Sequence, residues 1–94
     1  MRILFSGGIL EINLGDEVQF EKVLEKVHGD WKEVKCEPQV GNFTGTELVW
    51  SEGIWGVRKG AVRTCRIKKE NGWHYVLPEW LKLVPERGSW KWSG

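Results

Sequence analysis

Lys68-Lys69-Glu70-Asn71-Gly72-Trp73-His74-Tyr75 governs the reading of this chain, because Asn-Gly between two alternating segments is the strongest short signature of a β-hairpin. A two-residue turn at Asn71-Gly72 predicts the pairs Glu70–Trp73, Lys69–His74, Lys68–Tyr75, Ile67–Val76 and Arg66–Leu77. Side chains alternate along a strand, so Arg66, Lys68, Glu70, Trp73, Tyr75 and Leu77 share one face, while Cys65, Ile67, His74 and Val76 share the other. The second, more apolar face is the expected core side.

Upstream of the hairpin, Gly53 to Arg58 predicts a short strand bounded by glycines, with Lys59-Gly60 turning into a strand over Ala61 to Lys69. Downstream, Pro78 stops ladder pairing, residues 78–82 fit a single helical turn, and Lys82-Leu83-Val84 resumes as a short strand before Pro85. A meander of this kind needs closure or a second layer to hide its apolar face.

The segment from Asp16 to His28 supports two readings. Phe20, Val23, Leu24 and Val27 fall at i, i+3, i+4 and i+7, with Asp16 as a cap and Gly29 as a stop, which would give an α+β fold with a helix at 17–28. Val18, Phe20 and Leu24 also fit one face of a strand, with His28-Gly29-Asp30 turning into Trp31 to Cys36. The strand is preferred, because the β-branched residues, the flanking glycines and the neighbouring β signals then agree with one another. Residues 37–52 read as a loop followed by a short strand.

With 40% hydrophobic and 29% charged residues, the 94-residue chain has ordinary globular composition and enough length for one modest core. Residues 1–87 are expected to form a single small β domain and residues 88–94 a C-terminal tail. Gly7-Gly8 interrupts the apolar start and Glu11 ends it, so nothing here targets a membrane and a cytoplasmic location is expected. Cys36 and Cys65 lack the close spacing of thiolate metal sites or redox dithiols and are expected to be reduced and structural.

The net charge of +1 conceals an uneven distribution. Residues 1–50 carry five basic and nine acidic side chains, and residues 51–94 carry nine basic and four acidic ones. Arg58, Lys59, Arg63, Arg66, Lys68 and Lys69 run together without an acid, a pattern that suits either an anion-attracting patch or a solvated edge defended against strand pairing.

The order of elements is similar to a known architecture. Gly15-Asp16-Glu17-Val18 opens a strand, a long excursion follows, and then come Gly53 to Arg58, a second strand, the Asn-Gly hairpin, Tyr75-Val76, a short turn and Leu83-Val84. Over residues 15 to 85 this resembles a small Src-homology-three-like β-barrel, and Gly53-Ile54-Trp55-Gly56-Val57-Arg58 resembles small uncharacterised phage proteins of that type. The resemblance implies a mainly β fold and a phage or prophage accessory or inhibitory protein. The aliphatic-aromatic ligand motif of the signalling domains is missing near the first strand, so proline-rich peptide binding is not carried over.

Seven tryptophans in so short a chain, with no cluster of catalytic side chains beside them, point to contact surface rather than chemistry. Trp73 and Tyr75 share a predicted face with Arg66 and Lys68, which with Arg58 could stack planar groups and neutralise phosphate. The same aromatic residues could equally pack inward. Trp90 and Trp92 flank Lys91 in the tail and are candidate partner or dimer contacts.

No enzyme, metal or cofactor is expected. His28, His74, Cys36 and Cys65 are scattered, Ser6, Ser51 and Ser89 lack a nucleophile elbow, and Ser6-Gly7-Gly8 lacks the lysine of a phosphate loop. The expected function is a non-catalytic binding module that engages a protein partner. Two alternatives stand beside it: a binder of nucleotides or single-stranded nucleic acid using the basic-aromatic face, and a structural subunit that forms a homo-oligomer through the tail. The near-neutral charge fits a small anionic ligand better than long DNA.

Overall fold

A computed structural model describes residues 1–5 and 7–83. The domain boundary expected at residue 87, with Trp90 and Trp92 beyond it, lies outside the described residues. The fold is mainly β: β1 (Arg2–Phe5), β2 (Gly8–Glu11), β3 (Glu17–Val27), β4 (Asp30–Ser51), β5 (Gly60–Lys69), β6 (Gly72–Val76), a 3₁₀ turn at Pro78–Trp80 and β7 (Lys82–Leu83). β1 and β2 form a separate antiparallel hairpin. The main sheet runs β4-β5-β6-β3-β7, with β3 also pairing with the first half of β4 and meeting β6 at Leu24–Tyr75.

The segment open to two readings is a strand, and the helix alternative at 17–28 does not form. Its helix-like spacing has a physical origin in the β3–β4 ladder. The pairing shifts between Phe20 and Lys22, so Glu21 stands opposite the irregular Cys36-Glu37-Pro38 stretch. Beyond that shift both Val23 and Leu24 are buried, each in a different apolar cluster, and a strand with two buried faces can mimic a helical period. The turn at its end is His28-Gly29, with φ of 49° and 82°, the doubly positive pair that a tight two-residue hairpin demands.

Three further expectations are corrected. Residues 37–52 are not a loop and a short strand: as far as Ser51 they belong to one long strand, interrupted where Pro38 lacks a donor and where Thr44 bulges between Phe43 and Gly45. Gly53 to Arg58 is not a strand; it has only bridge pairing at Trp55 and Gly56, the latter with Lys32. The backbone N–H groups of Glu52 and Ile54 donate to the Asp30 carboxylate at 2.8 and 3.0 Å, and that of Gly53 to Ser51 Oγ at 3.1 Å, which holds the segment as a pinned loop. The Asn-Gly hairpin, finally, turns on Glu70-Asn71, with Gly72 (φ 135°) starting β6.

That last change pairs Lys68 with Trp73, Arg66 with Tyr75, Ile67 with His74 and Cys65 with Val76. The register differs from the expected one by two positions, an even number, so the predicted faces survive. Cys65, Ile67 and Val76 are fully buried, as the core side should be. The main core joins them to Ile3, Ile12, Val18, Phe20, Val23, Phe43 and Leu81. A smaller cluster of Leu24, Val57 and Val62 is covered by half-buried Trp31, Tyr75, Leu77 and Trp80.

β5 belongs to both clusters and changes its buried side midway. Val62 and Thr64 are buried from one face, then Cys65 and Ile67 from the other. The linker after β2 is tied down as well: Gly15 N–H donates to Phe43 O at 2.8 Å, Phe43 N–H to Asp16 O at 2.9 Å, and Ile12 N–H to Met1 O at 2.9 Å. Among the described residues no helix is long and apolar enough to cross a membrane.

Candidate functional site

Of the five tryptophans among the described residues, none is fully buried: Trp31, Trp55 and Trp80 are half-buried, and Trp50 and Trp73 are exposed. The main core is built from isoleucine, valine, phenylalanine, leucine and cysteine. Among the described residues, indole therefore stands at the surface or covers the edge of the apolar clusters rather than filling them. Most of these rings carry a cation: Lys26 Nζ lies 5.3 Å from the Trp31 ring centre, Lys32 5.0 Å from Trp55, and Lys22 5.6 Å from Trp80. Two rings are exceptions, in opposite senses.

Trp73 carries two cations. Its ring centre is 5.8 Å from the Arg66 guanidinium carbon and 6.0 Å from Lys68 Nζ, and the indole is 55% exposed. The register of β5 and β6 brings Arg66, Lys68, Trp73 and Tyr75 to one face, as expected from the sequence. Tyr75 is half-buried, packs edge-on against Trp31 at 5.3 Å and donates its hydroxyl to Glu47 Oε1 at 3.3 Å. Burial, and then the Glu47 carboxylate, push the Tyr75 phenol above its ordinary range.

Arg58 does not join this group. It lies in a groove of about 520 Å³ lined by Leu4, Val57, Arg63, Leu77 and Trp80, and its guanidinium donates to Ala61 O at 3.0 Å. The Gly53 to Arg58 segment that would have carried it toward the hairpin as a strand is the pinned loop.

Among the described residues no cation lies on Trp50, and its indole N–H donates to Glu52 Oε2 at 2.8 Å. The ring is 58% exposed, and Leu48, two residues earlier on the same face of β4, is 56% exposed. Across the ladder they meet Ala61 and Arg63, which are exposed too. Comparison with protein families, with curated proteins and with solved structures gives no match.

Sequence reasoning missed Trp50, Leu48, Trp31 and Lys26. The signals were present: alternation over 46–50 places Leu48 and Trp50 together, and a two-residue turn at His28-Gly29 sets Lys26 opposite Trp31.

Among the described residues, burial shifts both Cys65 and His74 toward their neutral forms. Burial pushes the Cys65 thiol up to about 12, so it stays protonated and a poor nucleophile. Burial, then the Lys69 charge, holds His74 below its ordinary range, and its ring packs against Phe20 at 5.9 Å. Among the described residues no group of three or more His, Cys, Asp or Glu gathers to hold a metal.

Asp30 has a structural task. The Glu52 N–H donated to its carboxylate holds the pKa below the ordinary value; burial opposes this, and the N–H groups of Trp31 and Ile54 and the charge of Lys26 reinforce it. A lowered folded pKa means that this stabilisation is complete above the ordinary carboxylate range and is lost as pH falls through the folded value. Asp30→Asn should therefore lower Tm at neutral pH, and its gap from wild type should shrink below about pH 4. Thermal melts from neutral to acidic pH check this; a gap that stays constant would refute the role of the charge.

Proposed function

We propose that this chain is a non-catalytic binding module that grips a protein partner with the Leu48–Trp50 face of β4. The observation that carries this reading is an exposed indole, with no cation on it among the described residues, beside an exposed leucine on a regular strand. Rigid, amphipathic tryptophan is the side chain most enriched among residues that dominate binding energy, and apolar neighbours exclude water around it. Arg63 across the ladder favours an acidic rim on the partner and raises the rate of encounter.

The scaffold is read as a small Src-homology-three-like barrel, of the kind the sequence resembles in small phage proteins. In support, β4 pairs with both β3 and β5, and β3 meets β6 at Leu24–Tyr75. Asp30 and Ser51 contribute by fixing the loop that follows Trp50.

Tagged protein should retrieve a stoichiometric partner from the cells in which it is native. Trp50→Ala should weaken that complex about thirtyfold or more, which is the roughly 2 kcal/mol expected of an anchor residue. Leu48→Ser should weaken it as well, and both variants should keep the wild-type circular dichroism. Retention of the partner by Trp50→Ala would overturn the assignment.

A further inference from the structure

We infer that Trp73, Arg66 and Lys68 form a site for a nucleoside phosphate, with the base stacked on the indole and the phosphate held by the two cations. The site does not depend on the protein-binding reading above. Residues on β5 alternate faces, so Arg66 and Lys68 project to the side opposite Arg63, the cross-strand neighbour of Leu48.

Three observations carry this inference. The first is an indole more than half exposed with two cations at its ring, the combination that stacks a planar group and neutralises an anion beside it. The second is the state of those cations. The ion pairs among the described residues involve the N-terminus and Arg2 with Glu11, and Lys22 with Glu33, and none includes Arg66 or Lys68. Of the two carboxylates assigned to this face, Glu47 accepts from Tyr75, and Glu70 stands exposed in the hairpin turn, in no ion pair among the described residues.

The third is the seating of Arg66. Its Nε is buried without an acceptor among the described residues, and an unpaired donor on a charged group is costly unless something arrives to accept from it. Its guanidinium lies against Gly45 (φ 143°), where a Cβ would come within 3.1 Å of Nη2. Glycine at that bulge leaves room for the planar head beside the Trp73 ring. A phosphate oxygen bridging Arg66 and Lys68 would meet charge-assisted donors from both.

The face continues past Trp73. Tyr75 stands two residues along β6, about 7 Å away at the rise of a strand, and Trp31 with Lys26 packs on its far side. Such a row could follow successive nucleotides of a strand, whereas Trp73 alone suffices for a free nucleotide. The chemistry at Trp73 is the same for both.

The test is a fluorescence titration of the whole chain with adenosine monophosphate in one arm and a short single-stranded oligothymidylate in the other. Saturable tryptophan quenching in either arm, weakened by salt, is expected. Tighter binding of the oligonucleotide identifies the ligand as a strand, and equal binding identifies it as the free nucleotide. Trp73→Ala should reduce affinity roughly tenfold or more, in line with the loss of one stacked base. Lys68→Gln and Arg66→Gln should each weaken binding and flatten the salt dependence, the former without disturbing any buried atom.

Trp50→Ala should bind nucleotide like wild type, which separates failure of this site from failure of the protein-binding face. The inference is overturned if neither ligand quenches saturably, if Trp73→Ala binds as wild type does, or if Trp73→Ala abolishes capture of a protein partner while no nucleotide binds.

Discussion

Phe20→Ala should cost about 3–5 kcal/mol of stability, enough to bring a domain of this size close to its unfolding threshold. Phe20 is 1% exposed and sits in the cluster of Val18, Val23, Phe43, Ile67 and Val76, with the His74 ring 5.9 Å away. Removing the ring leaves a void bounded by β3, β4, β5 and β6, whose ladder bonds prevent the strands from collapsing into it. The lost transfer energy and the residual cavity therefore add. Urea denaturation followed by circular dichroism measures the effect. Trp73→Ala on the same scale should cost less than about 1 kcal/mol, since half of that indole is already in water. Equal losses for the two variants would mean that the division between core phenylalanines and surface tryptophans is wrong.

Gly41→Ala is the second large effect, and it adds a methyl group rather than removing a ring. Gly41 is buried on β4, pairs with Val18 and lies against β5, where a Cβ would fall 2.5 Å from Ile67 Cγ2 and 2.8 Å from the Lys68 carbonyl oxygen. Neither neighbour can step aside: Ile67 is fully buried, and the oxygen belongs to the backbone. Overpacking of this kind costs about 1–3 kcal/mol, and the upper end is expected because a ladder, not a side chain, has to move. The displaced residue is Lys68, so the variant should also weaken nucleotide binding at Trp73. A melt indistinguishable from wild type would show that β4 and β5 are farther apart at this point.

Much of the architecture was legible because hairpins are local. Asn71-Gly72 announced the turn between β5 and β6, Pro78 the 3₁₀ turn, and His28-Gly29 the end of β3. The faces of the β5–β6 hairpin, and with them the grouping of Arg66, Lys68, Trp73 and Tyr75, followed from alternation alone. The register did not, because His28 is the one non-glycine residue with positive φ among the described residues, and Asn71 therefore does not adopt the mirror-image turn its sequence favours.

What escaped the sequence was set by partners far along the chain. Trp50 looked no different from the other tryptophans until β5 placed Ala61 and Arg63 beside it and left the ring uncovered. Gly53 to Arg58 has a strand-like composition, yet its donors go to Asp30 and Ser51, a choice made by residues outside the segment. The continuity of β4 through Pro38 and Gly45 was hidden by those same two residues, which mark its irregularities.

An ordinary strand with one dry side and one wet side can slide by two positions and still conceal its oily residues. β5 has no such freedom. Its dry side switches between Thr64 and Cys65, so any slippage, odd or even, strands an apolar side chain in water at one end or drags a polar one inward at the other. The strand that presents Arg66 and Lys68 is thereby locked lengthwise, and the cations keep their address over the indole with no ion pair among the described residues to hold them there.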